Sequence, residues 1–371
     1  MALSNATDPR TAEVALTAWL TRTIPGAEEA RVTNAVVPAD AGLSTETILF
    51  DAAWTQDGER HERALVARVE PAGEAVFPSY DLHAEARVLD ALAAVPGVPV
   101  PSVFAYEPDA AILGAPFLVM ERLPGRVPSD DPPFTANGWV LDLTPDQQGQ
   151  MYDNALQVIA RIHGASTELL GLGFLADREP GEPGLDQQLG YWERTFAWAA
   201  GEDSNPTVEG GLEWIRANRP AEPEPLVLNW GDARPGNMLF SADGAVTGVL
   251  DWEMVCLGSP EMDLGWWLFL LRHHTEGIGA PMPAGFPTRE QTIARYQELT
   301  GHAVRHADFY EVFAAVRLAI LMHRGGRLMT AAGLLPPDAP MKLNNPASQL
   351  LARLTGLPAP DGVAQSFIGN R

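Results

Sequence analysis

The chain has 371 residues, enough for a large core divided over two or three domains, or over two lobes that share a cleft. Its 46% hydrophobic and 20% charged content is that of an ordinary globular protein. A formal net charge of −23 argues against a nucleic-acid-binding surface and an anionic membrane partner; it permits a cationic substrate, although solubility is the plainer reason for acidity.

In chain order, residues 8–24 read as a helix. Asp8 is an N-cap, Pro9 takes the first helical position, and Val14, Leu16, Trp19 and Leu20 supply an apolar face. Residues 31–37, 45–54 and 63–69 read as three strands, with Asp57-Gly58 as the hairpin signal between the last two. A short turn, Ala41-Gly42-Leu43-Ser44-Thr45, lies between the first two strands, where small residues can present backbone N–H groups to a phosphate. With one glycine it reads equally as a plain turn. Residues 81–95 form a helix with Ala84, Val88, Leu89 and Leu92 on one face and Glu85 near its start. Two more strands follow at 103–106 and 116–120. These elements predict a five-stranded antiparallel lobe with one main helix, spanning residues 1–123.

Beyond it, residues 124–371 read as a mostly helical lobe. Helices are expected at 144–167, 191–200, 208–218, 260–274, 289–300, 306–330 and 344–355. Short strands fall near 226–228, 238–240 and 246–250, with Asp243-Gly244 turning the last two. The fold class is therefore α+β and bilobal. Cys256 is the only cysteine, which leaves no intrachain disulfide and no cysteine-based metal site. No apolar run reaches membrane-helix length, and the N-terminus lacks a basic region followed by an apolar segment, so a soluble cytoplasmic protein is expected.

The chemistry concentrates between Leu226 and Trp267. Asp232 and Asn237 stand in a D-x-x-x-x-N spacing, and Asp251 follows the apolar run 246–250. An acid at the head of a loop, an amide five residues on and a second acid after a strand form a phosphoryl-transfer layout. Asp232 is the candidate base that orients a substrate hydroxyl. Asn237 and Asp251 are oxygen ligands suited to Mg²⁺. Glu253 is expected on the same side as Asp251, because side chains alternate along an extended segment, and is a further metal or substrate candidate. Each residue alone reads more readily as a turn or cap former; the ordered set behind an antiparallel lobe does not. His163 reads as a structural histidine on an apolar helix, and Trp252, Trp266 and Trp267 read as core, with the option that one flanks the acceptor.

The order of these parts resembles the aminoglycoside phosphotransferase and choline kinase branch of the protein-kinase-like fold. That branch carries H-G-D-x-x-x-x-N, then D-x-D/E, then G-x-P-x-x-D-L. The matching stretches are Trp230-Gly231-Asp232-Ala233-Arg234-Pro235-Gly236-Asn237, Asp251-Trp252-Glu253 and Gly258-Ser259-Pro260-Glu261-Met262-Asp263-Leu264. The stretches 42–47, 85–89 and 119–122 are similar to those of the phosphotransferases found beside or fused to acyl-CoA dehydrogenases. The resemblance implies an ATP-dependent kinase, with GTP as the alternative donor, using Mg²⁺ to phosphorylate a hydroxyl of a small molecule. The acceptor would be an aminoglycoside-like antibiotic, or a hydroxyacyl-CoA or hydroxy acid, and the protein a monomer or homodimer. It implies phosphate contacts from Gly42, Ser44, Thr45 and Arg68, with Glu85 bracing Arg68. Adenine would meet backbone groups from Glu121 to Leu123, and Asp263 would brace the catalytic loop. Two positions depart from the pattern. Trp230 replaces the usual histidine, and Arg68 replaces the usual lysine; Lys342 is the only lysine in the chain. These departures motivate the alternative of a nucleotide-binding pseudokinase that serves as a regulatory or partner-binding module.

Overall fold

The computed structural model describes residues 7–38, 44–221 and 224–365. They form two compact units. Unit 1 contains the chain up to Ala93 together with Pro101–Leu123; unit 2 contains Ala94–Val100 and the chain from Pro124 onwards.

In unit 1, helix α1 (Pro9–Thr23) starts where the Asp8 carboxylate accepts the Thr11 N–H and Pro9 fills the first turn. Strands β1 (Glu28–Val36), β2 (Glu46–Gln56) and β3 (Glu59–Val69), helix α2 (Leu82–Leu92), and strands β4 (Val103–Glu107) and β5 (Phe117–Glu121) follow. The sheet is antiparallel throughout, in the order β1-β2-β3-β5-β4. Strand alternation divides its two faces. Ile48, Phe50, Trp54, Leu65, Ala67, Phe117 and Val119 join Leu16, Trp19 and Leu20 of α1 in one core. Arg68 therefore points to the opposite face, where it meets Glu85 of α2. The last five residues of β3 are all buried, because both faces are covered there. The expected five-stranded antiparallel arrangement is what the structure shows, with α1 on one face of the sheet and α2 on the other.

Unit 2 is mostly helical: α3 (Pro145–His163), α4 (Leu185–Ala200), α5 (Pro206–Ala217), α6 (Glu261–His273), α7 (Arg289–Thr300), α8 (Ala307–Ala331) and α9 (Pro346–Thr355). The 25-residue α8 is buried along nearly its whole length and packs against α4, α5, α6 and α9. Gly265 lets α6 and α8 approach: a Cβ there would lie 2.6 Å from the Tyr310 carbonyl carbon. Short strands β6 (Val227–Asn229), β7 (Met238–Phe240), β8 (Val246–Val249) and β9 (Cys256–Gly258) form two antiparallel pairs, β6 with β9 and β7 with β8.

Three details differ from the sequence reading. Helix α4 begins at Leu185, six positions before the expected start. The Gln187 side chain anchors its first turn by donating to the carbonyls of Ala176, Glu179 and Gly181 at 2.6, 2.7 and 3.1 Å. Strand β9 was not expected; only its pairing with β6 defines it. Strand β8 stops at Val249, so residues 251–253 are not its extension.

Candidate active site

The loop after β6 turns at Gly231, whose φ is +93°. A Cβ at this position would sit 2.1 Å from the Met254 carbonyl oxygen. Asp263, in the first turn of α6, is fully buried and accepts the backbone N–H of Trp230 at 2.7 Å and of Gly231 at 2.8 Å. Its Oδ2 also meets His163 Nε2 at 3.1 Å, and Nδ1 of that ring lies 2.5 Å from the Tyr296 hydroxyl. His163 is thus a buried structural histidine, as read, and its structural task is to hold the loop-bracing acid. A Gly231→Ala variant should lose about 3 kcal/mol or more of unit 2 stability, since any methyl collides with backbone and φ is unfavourable for alanine. Urea unfolding that matched the parent would contradict this.

Trp230 packs where the resemblance expects histidine. It is fully buried, its ring centroid is 6.0 Å from that of Trp252, and its Nε1–H donates to the Leu250 carbonyl at 2.8 Å. The tryptophan thereby ties the loop to the residue that precedes Asp251.

Asp232 sits at the centre of a donor set. Trp266 Nε1–H donates to its Oδ1 at 2.7 Å. Arg234 Nε bridges both oxygens at 3.1 and 3.0 Å. Asn237 Nδ2 donates to Oδ2 at 2.7 Å and to the Asp232 carbonyl at 3.2 Å. The other end of the Arg234 guanidinium pairs with Asp130. Burial works against the Arg234 charge, but the carboxylates of Asp130, Asp232 and Asp251 outweigh it and hold its pKa above the ordinary arginine value.

Asn237 is 5% exposed at the end of a short 3-10 turn, and its carbonyl accepts the Leu250 N–H at 2.9 Å. That bond continues the β7–β8 ladder by one residue on each strand. Its Nδ2 is occupied by Asp232, whereas its Oδ1 accepts no hydrogen bond among the described residues. Asp251 adopts φ +63°, a left-handed conformation that aspartate tolerates better than most residues and that recurs at functional sites. No group of three or more His, Cys, Asp or Glu side chains able to hold a metal occurs among the described residues. The Asn237 oxygen and the Asp251 carboxylate nevertheless fit Mg²⁺, which takes few protein ligands and keeps waters and phosphate oxygens.

Glu253 requires a correction. Its expected place beside Asp251 rested on strand alternation, but the chain leaves β8 before Asp251 and turns: Trp252 Nε1–H donates to the Val249 carbonyl at 3.1 Å, and the Val255 N–H to the Trp252 carbonyl at 3.0 Å. Glu253 instead acts electrostatically on Tyr191, whose hydroxyl is pushed up to about 12, first by burial and then by Glu179 and Glu253.

Within unit 1, the Arg68 and Glu85 side chains are 8% and 3% exposed and form an ion pair at 2.7 Å. Arg68 Nε and Nη2 also donate to the Thr45 hydroxyl at 3.2 and 3.1 Å. Ser44 donates to the Tyr80 hydroxyl at 3.1 Å. Gly42 lies outside the described residues. Of the three backbone groups expected near adenine, the N–H of Glu121 bonds the Ser102 carbonyl at 2.9 Å and that of Arg122 bonds the Ala64 carbonyl at 3.0 Å. The Leu123 N–H is used by no described residue, which singles it out.

Sequence reasoning gave no role to Arg234, Asp130 or Arg317, and left Trp266 mainly to the core. Arg234 stands inside the D-x-x-x-x-N stretch, so its neighbourhood was readable. Arg317 is a lone cation in the apolar run Val316 to Ile320, which signals burial without naming a partner. Its Nη2 donates to the Gly231 carbonyl at 2.8 Å. Burial pushes the nearby Cys256 thiol up to about 12 despite the opposing charge of Arg317. The native thiol should therefore react with a disulfide reagent at pH 8 about a thousandfold more slowly than free cysteine, and at the ordinary rate once unfolded.

Residues 45–303 match the model of the phosphotransferase enzyme family. Mouse acyl-CoA dehydrogenase family member 10 is 30% identical over 275 residues, which is 70% of this chain and 24% of that protein. An Arabidopsis thaliana probable acyl-CoA dehydrogenase, IBR3, is 26% identical, covering 75% of this chain and 34% of that protein. The chain thus spans between a quarter and about a third of the length of these relatives. Among solved structures, a Ralstonia eutropha protein provisionally described as an aminoglycoside phosphotransferase superposes with a TM-score of 0.65 at 24% identity, covering 92% of this chain and 95% of that one. The aminoglycoside phosphotransferase APH(4)-Ia, in a ternary complex with AMP-PNP and hygromycin B, superposes at 0.55 with 14% identity, covering 92% and 98%. These structures share the fold. With the family model covering more than half of its length, the chain belongs to the phosphotransferase enzyme family.

Proposed function

We propose that the chain is an ATP- and Mg²⁺-dependent kinase that phosphorylates a hydroxyl group of a small molecule. The carrying observation is the arrangement around Asp232. Its carboxylate is aimed by Trp266, Arg234 and Asn237, while Asn237 turns its amide nitrogen to Asp232 and keeps its oxygen available. In this reading Asp232 receives the acceptor hydroxyl and orients its proton. Asn237 and Asp251 hold the metal, which neutralises charge on the nucleotide phosphates. Arg234, beside Asp232, supplies positive charge next to the oxygen that attacks. Within unit 1, Arg68 contributes a forked donor for phosphate, held straight by Glu85 and Thr45. Leu123 offers its N–H, and Glu121 its neighbouring backbone, to the base. The complex of APH(4)-Ia with AMP-PNP supports ATP as donor by analogy of fold.

Two acceptor classes follow from the relatives: an aminoglycoside-like polycation, or a hydroxyacyl-CoA or hydroxy acid in keeping with the acyl-CoA dehydrogenase relatives. The test is a transfer screen with ATP and GTP against both classes, read by product mass. Phosphorylated product requiring Mg²⁺ supports the kinase reading. Binding of Mg²⁺ and ATP with no transfer across the panel would favour a nucleotide-binding module instead.

A further inference from the structure

Arg317 lies on α8, beyond the residues matched by the family model. It is 2% exposed, and no carboxylate forms an ion pair with it among the described residues. Its Nε has no hydrogen-bond partner among the described residues. The guanidinium carbon stands 4.3 Å from the Trp266 ring centroid, 5.1 Å from that of Trp192 and 5.7 Å from that of Phe313. Aromatic faces and one peptide carbonyl are its direct contacts, and the Asp263 and Asp232 carboxylates act on it electrostatically without pairing with it. Burying a cation without a directly paired carboxylate is costly, and an apolar side chain like those of Val316 or Leu318 would fill the space at less cost.

What the guanidinium does that an apolar group could not is visible in two of its contacts. One is the carbonyl of Gly231, the residue immediately before Asp232. The other is the ring of Trp266, whose Nε1–H is bonded to Asp232 Oδ1 at 2.7 Å. We infer that Arg317 is a positioning residue for phosphate transfer: it fixes the Gly231 carbonyl and the plane of Trp266, and through both it sets the direction in which Asp232 presents its carboxylate. The inference rests on the reading of Asp232 as the group that orients the acceptor hydroxyl. A residue that served packing alone would support the helix interface equally well as methionine and would leave the indole bond unchanged.

The test uses the full chain with Arg317→Met, Arg317→Lys and Trp266→Phe, the last to assign the Trp266 indole resonance. In Arg317→Met the Trp266 indole proton should exchange with solvent at least tenfold faster. The Trp19 indole, which donates to Glu107 in unit 1 at 3.0 Å, should not change. Arg317→Lys should restore part of the protection, because an ammonium can reach the carbonyl but cannot lie flat on the ring. For transfer to the acceptor found in the screen, kcat should fall tenfold or more in Arg317→Met, with AMP-PNP affinity within twofold of the parent. A folded Arg317→Met protein with parental indole exchange overturns the inference. If Arg317→Met does not fold, Arg317→Lys with parental indole exchange and parental kcat overturns it. The two readings fail separately: a parent that transfers no phosphate sinks the kinase reading, while the indole measurement still decides the positioning.

Discussion

An Asp232→Asn variant is expected to lose about a thousandfold or more of phosphate transfer while retaining nucleotide affinity. Asparagine matches aspartate in shape, so the loop should keep its backbone course through the Asp263 bonds to Trp230 and Gly231. The electrostatics do not survive. Arg234 loses the carboxylate it bridges, and the Asn237 amide would face a second amide where it now meets a carboxylate oxygen. One of the two must turn, and the position that should accept the hydroxyl proton presents no charge. Rates from product mass, set against AMP-PNP titration, separate the two effects. Turnover at the parental rate would remove Asp232 from the mechanism.

The second large effect belongs to unit 1. Arg68→Met should cost about 3–5 kcal/mol, because it leaves Glu85 buried without its cation. That corresponds to a fall of on the order of 10 °C in the melting temperature of a unit of this size. The double variant Arg68→Met, Glu85→Leu should recover most of the stability, since replacing both partners by apolar groups removes the desolvation penalty along with the attraction. It should not recover nucleotide binding, because the forked donor for phosphate is still missing. Calorimetry and AMP-PNP titration on the same samples therefore distinguish a structural role of the pair from a ligand role. Equal recovery of both properties would mean that Arg68 meets no phosphate.

Much of the fold was legible because its signals are local. The cap at Asp8, the Asp57-Gly58 turn, the β-branched and apolar run of β2 and the 3.6-residue period in α3 are each written within a few residues. The order of three strands, helix and two strands then gave the antiparallel class. What escaped was short or held from a distance. Strand β9 exists only by pairing with β6, and the early start of α4 depends on three carbonyls that meet the Gln187 amide.

The candidate site divides in the same way. Residue type and spacing along the chain singled out the set Asp232, Asn237 and Asp251, while the pairing of Arg68 with Glu85 and the bracing by Asp263 were expected from the family resemblance. The tertiary structure alone decided which way these groups face. It took Asp251 out of the strand, so strand alternation no longer places Glu253 beside it. It made Trp230 a tie between two loops. It also brought Trp266 from α6 and Arg317 from α8 onto the loop that carries Asp232, 34 and 86 residues from the positions they touch. Spacing in sequence can report contacts within a helix turn or a loop; it carries no record of which helix faces will pack together. At this site that packing settles the direction of the Asp232 carboxylate.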